Sequence, residues 1–267
     1  MLKTRVITAL GLAIGLLAAL FLLPAAATAV LFALVVGLGA WEWAGLLRLG
    51  AGGRWLYALL TLIPCLALAL FAMPAAWLRA IWSLSLIFWL LLVPLWFSRR
   101  WRLKADVIGF LLGWLLLVPT WAAMVMLQRR SPLLLLAAMS LVWVADIAAY
   151  FAGRAWGRRK LAPTISPGKT WEGAVGALLA VILYGLILGT ATGLLHEPRQ
   201  FAGAAAALAL ATGISILGDL FESLAKRQAG VKDSSALLPG HGGILDRIDS
   251  LTSTLPLIAL AAACRLT

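Results

Sequence analysis

The sequence predicts an all-α polytopic integral membrane protein of about nine transmembrane helices with a cytoplasmic N-terminus, and three observations carry that expectation. First, 63% of the 267 residues are apolar, only 12% are charged, and the mean hydropathy is +1.01. A soluble domain is nearer half apolar and about a quarter charged. This chain therefore has too few charges to coat a water-exposed surface, and disordered or collagen-like classes are excluded by the same figures. Second, the apolar residues fall into nine blocks, which at ~20 residues per span leave only short loops. Third, Lys and Arg collect in alternate loops. One transmembrane domain, 1–267, is expected, with 1–140 mainly structural helices and 141–267 carrying both polar motif loops.

The blocks lie at 6–23, 26–47, 55–72, 80–97, 106–127, 132–152, 171–194, 202–221 and 250–265. The first follows Lys3 and Arg5 and precedes Ala25-Ala26-Ala27, as in a signal peptide. It exceeds the ~7–15 residues of a signal's apolar centre, and a second span follows at once, so it reads as a retained helix. With the N-terminus inside, the inside segments hold Lys3, Arg5, Arg48, Arg54, Arg99 through Lys104, Arg154 through Lys169, and Lys226 through Arg247. These are 17 of the 22 basic residues, while Arg79, Arg129, Arg130, Arg199 and Arg265 fall outside. A net charge of +12 and a pI near 10.9 would suggest nucleic acid in a soluble protein. Here the positive-inside rule explains both, and no nucleic-acid partner is expected. Cys65 and Cys264, far apart in apolar runs, read as buried thiols rather than a disulfide or metal site.

Up to residue 140 the chain offers mostly Leu, Ala, Val and Trp, the Trp residues often near block ends as interface anchors. Glu42, between Trp41 and Trp43, either faces a pocket or pairs with a partner inside the bundle. Small-residue pairs at Gly11/Gly15, Gly109/Gly113 and along Gly185, Gly189 and Gly193 permit close helix contact.

The acids are more informative. Seven of ten lie between 146 and 249: Asp146, Glu172, Asp219, Glu222, Asp233, Asp246 and Asp249. An acid near a helix centre costs ~2.5–3.5 kcal/mol on insertion scales, so Asp146 and Asp219 at span ends need a compensating reason. If span eight continues as a helix, Asp219, Glu222, Ser223 and Lys226 share one face. Asp246, Asp249, Ser250 and Ser253 repeat that pattern before span nine, so two helices would aim carboxylates and hydroxyls at a shared cleft. Oxygen-only ligands suit a hard cation such as Mg²⁺. The neighbouring Lys169, Lys226, Arg227, Lys232 and Arg247 suit polyphosphate chemistry.

Between those helices, Pro239-Gly240-His241-Gly242-Gly243 forms a loop whose backbone can approach a ligand. Gly242 and Gly243 lead into a helix start, where unused N–H groups can take an anion; the run can also be only a turn, with His241 a loop histidine. Ser166-Pro167-Gly168-Lys169-Thr170 contains the Gly-Lys-Thr of a P-loop, but Pro163 stands where that pattern needs Gly. A turn capping span seven is expected instead, with Thr170 as N-cap and Glu172 near the helix start.

The stretch Ser223-Leu224-Ala225-Lys226-Arg227, then Lys232-Asp233, then Leu238-Pro239-Gly240-His241-Gly242-Gly243-Ile244-Leu245-Asp246-Arg247-Ile248-Asp249 resembles the signature of the bacterial phosphatidate cytidylyltransferases, the CDP-diacylglycerol synthases. Ala225 departs from it, where the family favours a larger aliphatic residue. Asp146 through Arg154 and Leu161 through Gly173 resemble that family's second region, so the C-terminal half carries the likeness closely and the N-terminal half only in hydropathy.

The resemblance implies a multi-pass enzyme of the bacterial cytoplasmic (inner) membrane, with its active site facing the cytoplasm. It would move cytidylyl from CTP to phosphatidic acid, act as a homodimer, and use Mg²⁺ with K⁺ as a second metal. Carried over by motif, Asp219, Asp246, Asp249 and Lys226 are catalytic. Asp219, Asp246 and Asp249, with Asp146 nearby, hold metal. Lys169, Ser223, Arg227, Lys232, His241, Gly242, Gly243 and Arg247 bind substrate phosphates. The rival reading is a membrane transporter of a phosphorylated or anionic solute, whose acids would meet near midplane rather than at span ends.

Overall fold

The computed structural model describes residues 2–71 and 74–264. Ala72, at the end of the expected third span, and Arg265, at the end of the ninth, lie outside the described residues, as does the side chain of Lys3.

Among the described residues there are nine helical rods: α1 (Leu2–Phe21), α2 (Ala25–Leu46), α3 (Ala51–Leu70), α4 (Ala75–Arg99), α5 (Val107–Arg130), α6 (Pro132–Trp156), α7 (Trp171–Ala191), α8 (Pro198–Ala229) and α9 (Leu245–Cys264). Eight are long and apolar enough to cross a membrane by length and composition. The ninth, α9, opens with Asp246, Arg247 and Asp249 and is packed into the bundle through residues such as Leu251 and Leu255. The protein is a multi-pass membrane protein. A short antiparallel hairpin, β1 (Lys160–Ala162) and β2 (Ser166–Thr170), joins α6 to α7.

Two rods differ from the expected blocks for identifiable reasons. Pro94 has no N–H to continue the ladder of α4, and the turn before it, Phe88–Leu92, widens to a π-helix instead of breaking. Beyond its expected end at 221, α8 continues to Ala229 and stops at Gly230, whose φ of +80° reverses the chain.

The core is aromatic. Phe221 on α8 meets Phe88 edge-on at 5.5 Å, Trp89 at 5.8 Å and Trp96 at 5.8 Å between ring centres, and stacks on Trp43 at 6.3 Å. This cage seats α8 against α2 and α4 beside the acids of the site, since Phe221 neighbours Glu222 and Trp43 neighbours Glu42. Trp43, Trp82 and Trp121 are therefore core residues, not interface anchors. Their indole N–H groups donate to the carbonyls of Gly109, Pro119 and Ala29 at 3.0, 3.2 and 3.1 Å. Gly113 leaves room for Trp43 and Tyr57, whereas among the described residues nothing beyond their own helix turn lies within 4 Å of where a side chain would start at Gly11 or Gly15. Cys65 is buried as expected, but Cys264 is exposed.

One end of the bundle gathers the basic segments. Arg48 Nη2 donates to the Gln228 carbonyl at 3.2 Å, Gln228 Nε2 to the Trp101 carbonyl at 2.8 Å, and Arg227 Nε to the Ile165 carbonyl at 3.3 Å. Thr8 Oγ1 donates to the Pro239 carbonyl at 3.1 Å, which brings the start of α1 to the same end.

Candidate active site

The first cleft, about 550 Å³, opens between α6, α7, α8 and the hairpin. Thr170 builds its wall: its Oγ1 accepts from Gly173 N at 3.1 Å and caps α7, while the Glu172 carboxylate accepts from the N–H groups of Arg158 and Arg159 at 3.1–3.3 Å. Both act as expected, and together they fix β2 so that Lys169 reaches across to an ion pair with Asp219. Asp146 on α6 and Ser250 on α9 line the same cleft. The charges acting on Asp249 include Asp219, Asp146 and Lys169, so three carboxylates share this region with one paired lysine. Much of the remaining lining is apolar: Ala145, Ala149, Ala174, Ala177 and Ile216, with Tyr150.

Extension of α8 places Asp219 and Ser223 together, with Ser223 Oγ donating to Asp219 Oδ1 at 3.2 Å. Gly218 permits the approach of α9, because a side chain there would start 2.9 Å from the Asp249 carbonyl oxygen. One turn on, Lys226 is held between Glu222 at 2.5 Å and Asp246 at 2.6 Å. Its ammonium is thereby directed at two buried carboxylates, and Lys226 lines neither cleft. This departs from the expectation that it faces phosphate.

Asp246 is similarly engaged. Oδ1 takes Lys226, and Oδ2 accepts from Gly243 N at 2.7 Å and from Ser234 N and Oγ, each at 2.9 Å. Its two oxygens are thus engaged by protein donors in this structure. The partner that sequence reasoning could not assign is Glu42. Fully buried on α2, it accepts from Ile244 N at 2.9 Å, Leu245 N at 2.6 Å, Ser235 Oγ at 2.6 Å and Ser234 Oγ at 3.2 Å. The N–H groups at the start of α9, expected to be open to an anion, are capped by Asp246 and Glu42. Gly242 (φ +79°) and Gly243 let these carboxylates approach: a side chain would start 2.7 Å from Asp246 Oδ2 at Gly242 and would collide with Glu42 at Gly243.

A second cleft, about 540 Å³, lies under this loop and is lined by Arg5, Lys232, Arg247, His241 and Gly242. Asp233 lines it too. His241 Nδ1 is buried without a hydrogen-bond partner among the described residues. Arg247 lines this cleft and Ser250, one turn further along α9, lines the first, so the start of α9 separates the two. Arg5 had no signal beyond its charge, and Arg227 points instead to the hairpin turn.

Among the described residues no three acids, His or Cys are close enough to hold a metal ion as they stand. The donor chemistry still suits one: Asp146, Asp219 and Asp249 offer only carboxylate oxygens, the preference of Mg²⁺.

The likeness to known proteins extends over nearly the whole chain. The description "Cytidylyltransferase family" matches residues 3–264. A phosphatidate cytidylyltransferase of Pseudomonas aeruginosa is 44% identical over 97% of this chain and 96% of its own length. One of Haemophilus influenzae is 52% identical over 46% of this chain and 43% of its own. An uncharacterised Escherichia coli protein, YnbB, is 47% identical over 46% of this chain and 40% of its own.

Proposed function

The chain belongs to the cytidylyltransferase family and transfers a cytidylyl group from CTP to phosphatidic acid, and we propose that it does so across the first turn of α9, between the two clefts. The observation that carries this placement is the pairing of unlike clefts. One is mostly apolar but carries Asp146, Lys169 and Asp219; the other is basic, with Arg5, Lys232 and Arg247 beside a single acid, Asp233. The first suits a lipid phosphate whose acyl chains stay in the bilayer, and the second suits a triphosphate.

The chemistry follows from charge. The phosphatidate oxygen is ionised at neutral pH and needs no strong base. It forms a bond to the α-phosphorus of CTP as the bond to the β-phosphate bridging oxygen breaks and pyrophosphate leaves. Arg5, Lys232 and Arg247 offset the triphosphate charge, His241 Nδ1 offers the nucleotide an unused polar atom, and Lys169 draws the lipid phosphate towards Asp219. Catalysis by these residues is positioning and electrostatics. Asp219, Asp249 and Asp146 would hold Mg²⁺, with K⁺ as a second ion; Mg²⁺ when bound offsets phosphate charge and stabilises the leaving group. Glu42, Glu222 and Lys226 act through Asp246 as positioning residues. We further propose that both clefts face the cytoplasm at the bacterial inner membrane and that the enzyme is a homodimer. Native mass spectrometry would then find twice 28.4 kDa.

The decisive assay supplies CTP labelled at its α-phosphate to the reconstituted protein, with and without phosphatidate. Label should enter lipid only with phosphatidate, stop on chelation and return with Mg²⁺. Asp219→Asn and Asp249→Asn should each lower turnover by ~10²–10³. Normal folding with near-wild-type turnover in both variants would overturn the placement of the site.

A further inference from the structure

A third pocket, about 640 Å³, lies between the C-terminal ends of α2 and α8 and the segment joining α4 to α5, and it shares no lining residue with either cleft. Four cations line it, Arg48, Arg102, Lys104 and Arg227, and no carboxylate does. Among the described residues none of the four forms an ion pair. The adjacent acid, Asp106, is occupied as the cap of α5, accepting from Gly109 N at 2.9 Å.

The positive-inside rule accounts for cations in these loops but not for their convergence. Gln228 organises that convergence. Its side chain accepts from Leu103 N at 2.7 Å and donates to the Trp101 carbonyl at 2.8 Å, while its own carbonyl accepts from Arg48 at 3.2 Å. Arg48 is held at a φ of +64°, a conformation that a β-carbon disfavours. Three separate parts of the chain are thus held together, and their exposed cations border one space in which an anion would meet several of them at once.

We propose that this pocket binds a phosphate group, outside the catalytic clefts. Planar guanidinium groups match phosphate oxygens in pairs, and three of the four cations are arginines. Leu46, Leu47 and Leu103 complete the lining, and Trp101 stands exposed beside it, which suits a phosphate presented at a membrane surface. An anionic lipid headgroup and a free phosphate offer the same chemistry, and the test separates them.

Delipidated full-length protein is given phosphatidylglycerol or phosphatidylcholine, with retention read by native mass spectrometry, and separately inorganic phosphate, with binding read by thermal shift. Wild type should retain phosphatidylglycerol over phosphatidylcholine. Arg102→Gln/Lys104→Gln should weaken this by roughly thirtyfold, at two charges removed, with CTP turnover unchanged. Binding of inorganic phosphate alone, lost in the same variant, would assign the pocket to soluble phosphate. Should the double variant not fold, Arg48→Gln should weaken binding roughly fivefold. Variants that bind both probes as tightly as wild type, or a wild type that prefers neither, would overturn the proposal.

Discussion

Glu42 shows how a residue remote in sequence can set the geometry of a site. Its carboxylate takes two backbone N–H groups at the start of α9 and two serine hydroxyls of the preceding loop. Glu42→Gln keeps the size but replaces one acceptor by an N–H₂ that meets donors. With hydrogen bonds to charged groups at ~1.5–3 kcal/mol, a loss of about 3 kcal/mol is expected in thermal unfolding, together with lower turnover. An unchanged melting temperature would refute the capping role. Lys226 offers a contrasting case. Lys226→Ala leaves Glu222 and Asp246 buried without their cation and should cost about 3–5 kcal/mol. Lys226→Met with Glu222→Gln should recover part of that stability, since one buried charge goes with the other. If Lys226→Ala instead folds with full stability and changes only the KM for CTP, the lysine binds phosphate after all. The sequence made these acids conspicuous, because each sits in an apolar setting that demands a partner. It could not say which partner, since Glu42 and Ile244, or Lys226 and Asp246, meet only through the packing of different helices.

At the scale of elements, the contact between α8 and α9 controls how closely Asp219 approaches Asp249. Gly218 sits where a side chain would start 3.0 Å from Ser253 Cβ and 2.9 Å from the Asp249 carbonyl oxygen. Neither atom is the loose end of a flexible chain, so Gly218→Ala must push the helices apart by some tenths of an ångström. The expected result is a protein that folds and inserts but turns over CTP at least ~10-fold more slowly, in line with the cost of misplaced reacting groups. Full activity in Gly218→Ala would show that the spacing of these helices does not set the site. The helical spacing of Asp219, Glu222 and Lys226 was legible because α8 does continue through them. The hairpin was not: a three-residue strand carries too little alternation to be distinguished from a loop. Its function as the support of Lys169 was foreshadowed only by the caps, Thr170 and Glu172.

For the molecule as a whole, the same packing that builds the site makes a statement about orientation. Hydrogen bonds join the start of α1, the end of α2, the segment after α4, the hairpin and the end of α8 at one end of the bundle. Those are the segments in which 17 of the 22 basic residues were counted. The opposite end carries Arg79, Arg129, Arg130 and Arg199. Basic residues retained on the cytoplasmic side would therefore hold both clefts there, where CTP is available. The prediction is tested in a Cys65→Ala/Cys264→Ala background with a single cysteine introduced at Gly168, in the hairpin, or at Thr192, after α7. Both positions are exposed, so access to reagent depends on the side of the membrane and not on burial. In intact spheroplasts a membrane-impermeant maleimide should label the Thr192→Cys protein and spare the Gly168→Cys protein until the membrane is opened. Labelling of Gly168→Cys from outside would place the clefts on the wrong face for CTP. It would mean that the charge bias does not orient this chain, even though the fold gathers those charges at one end.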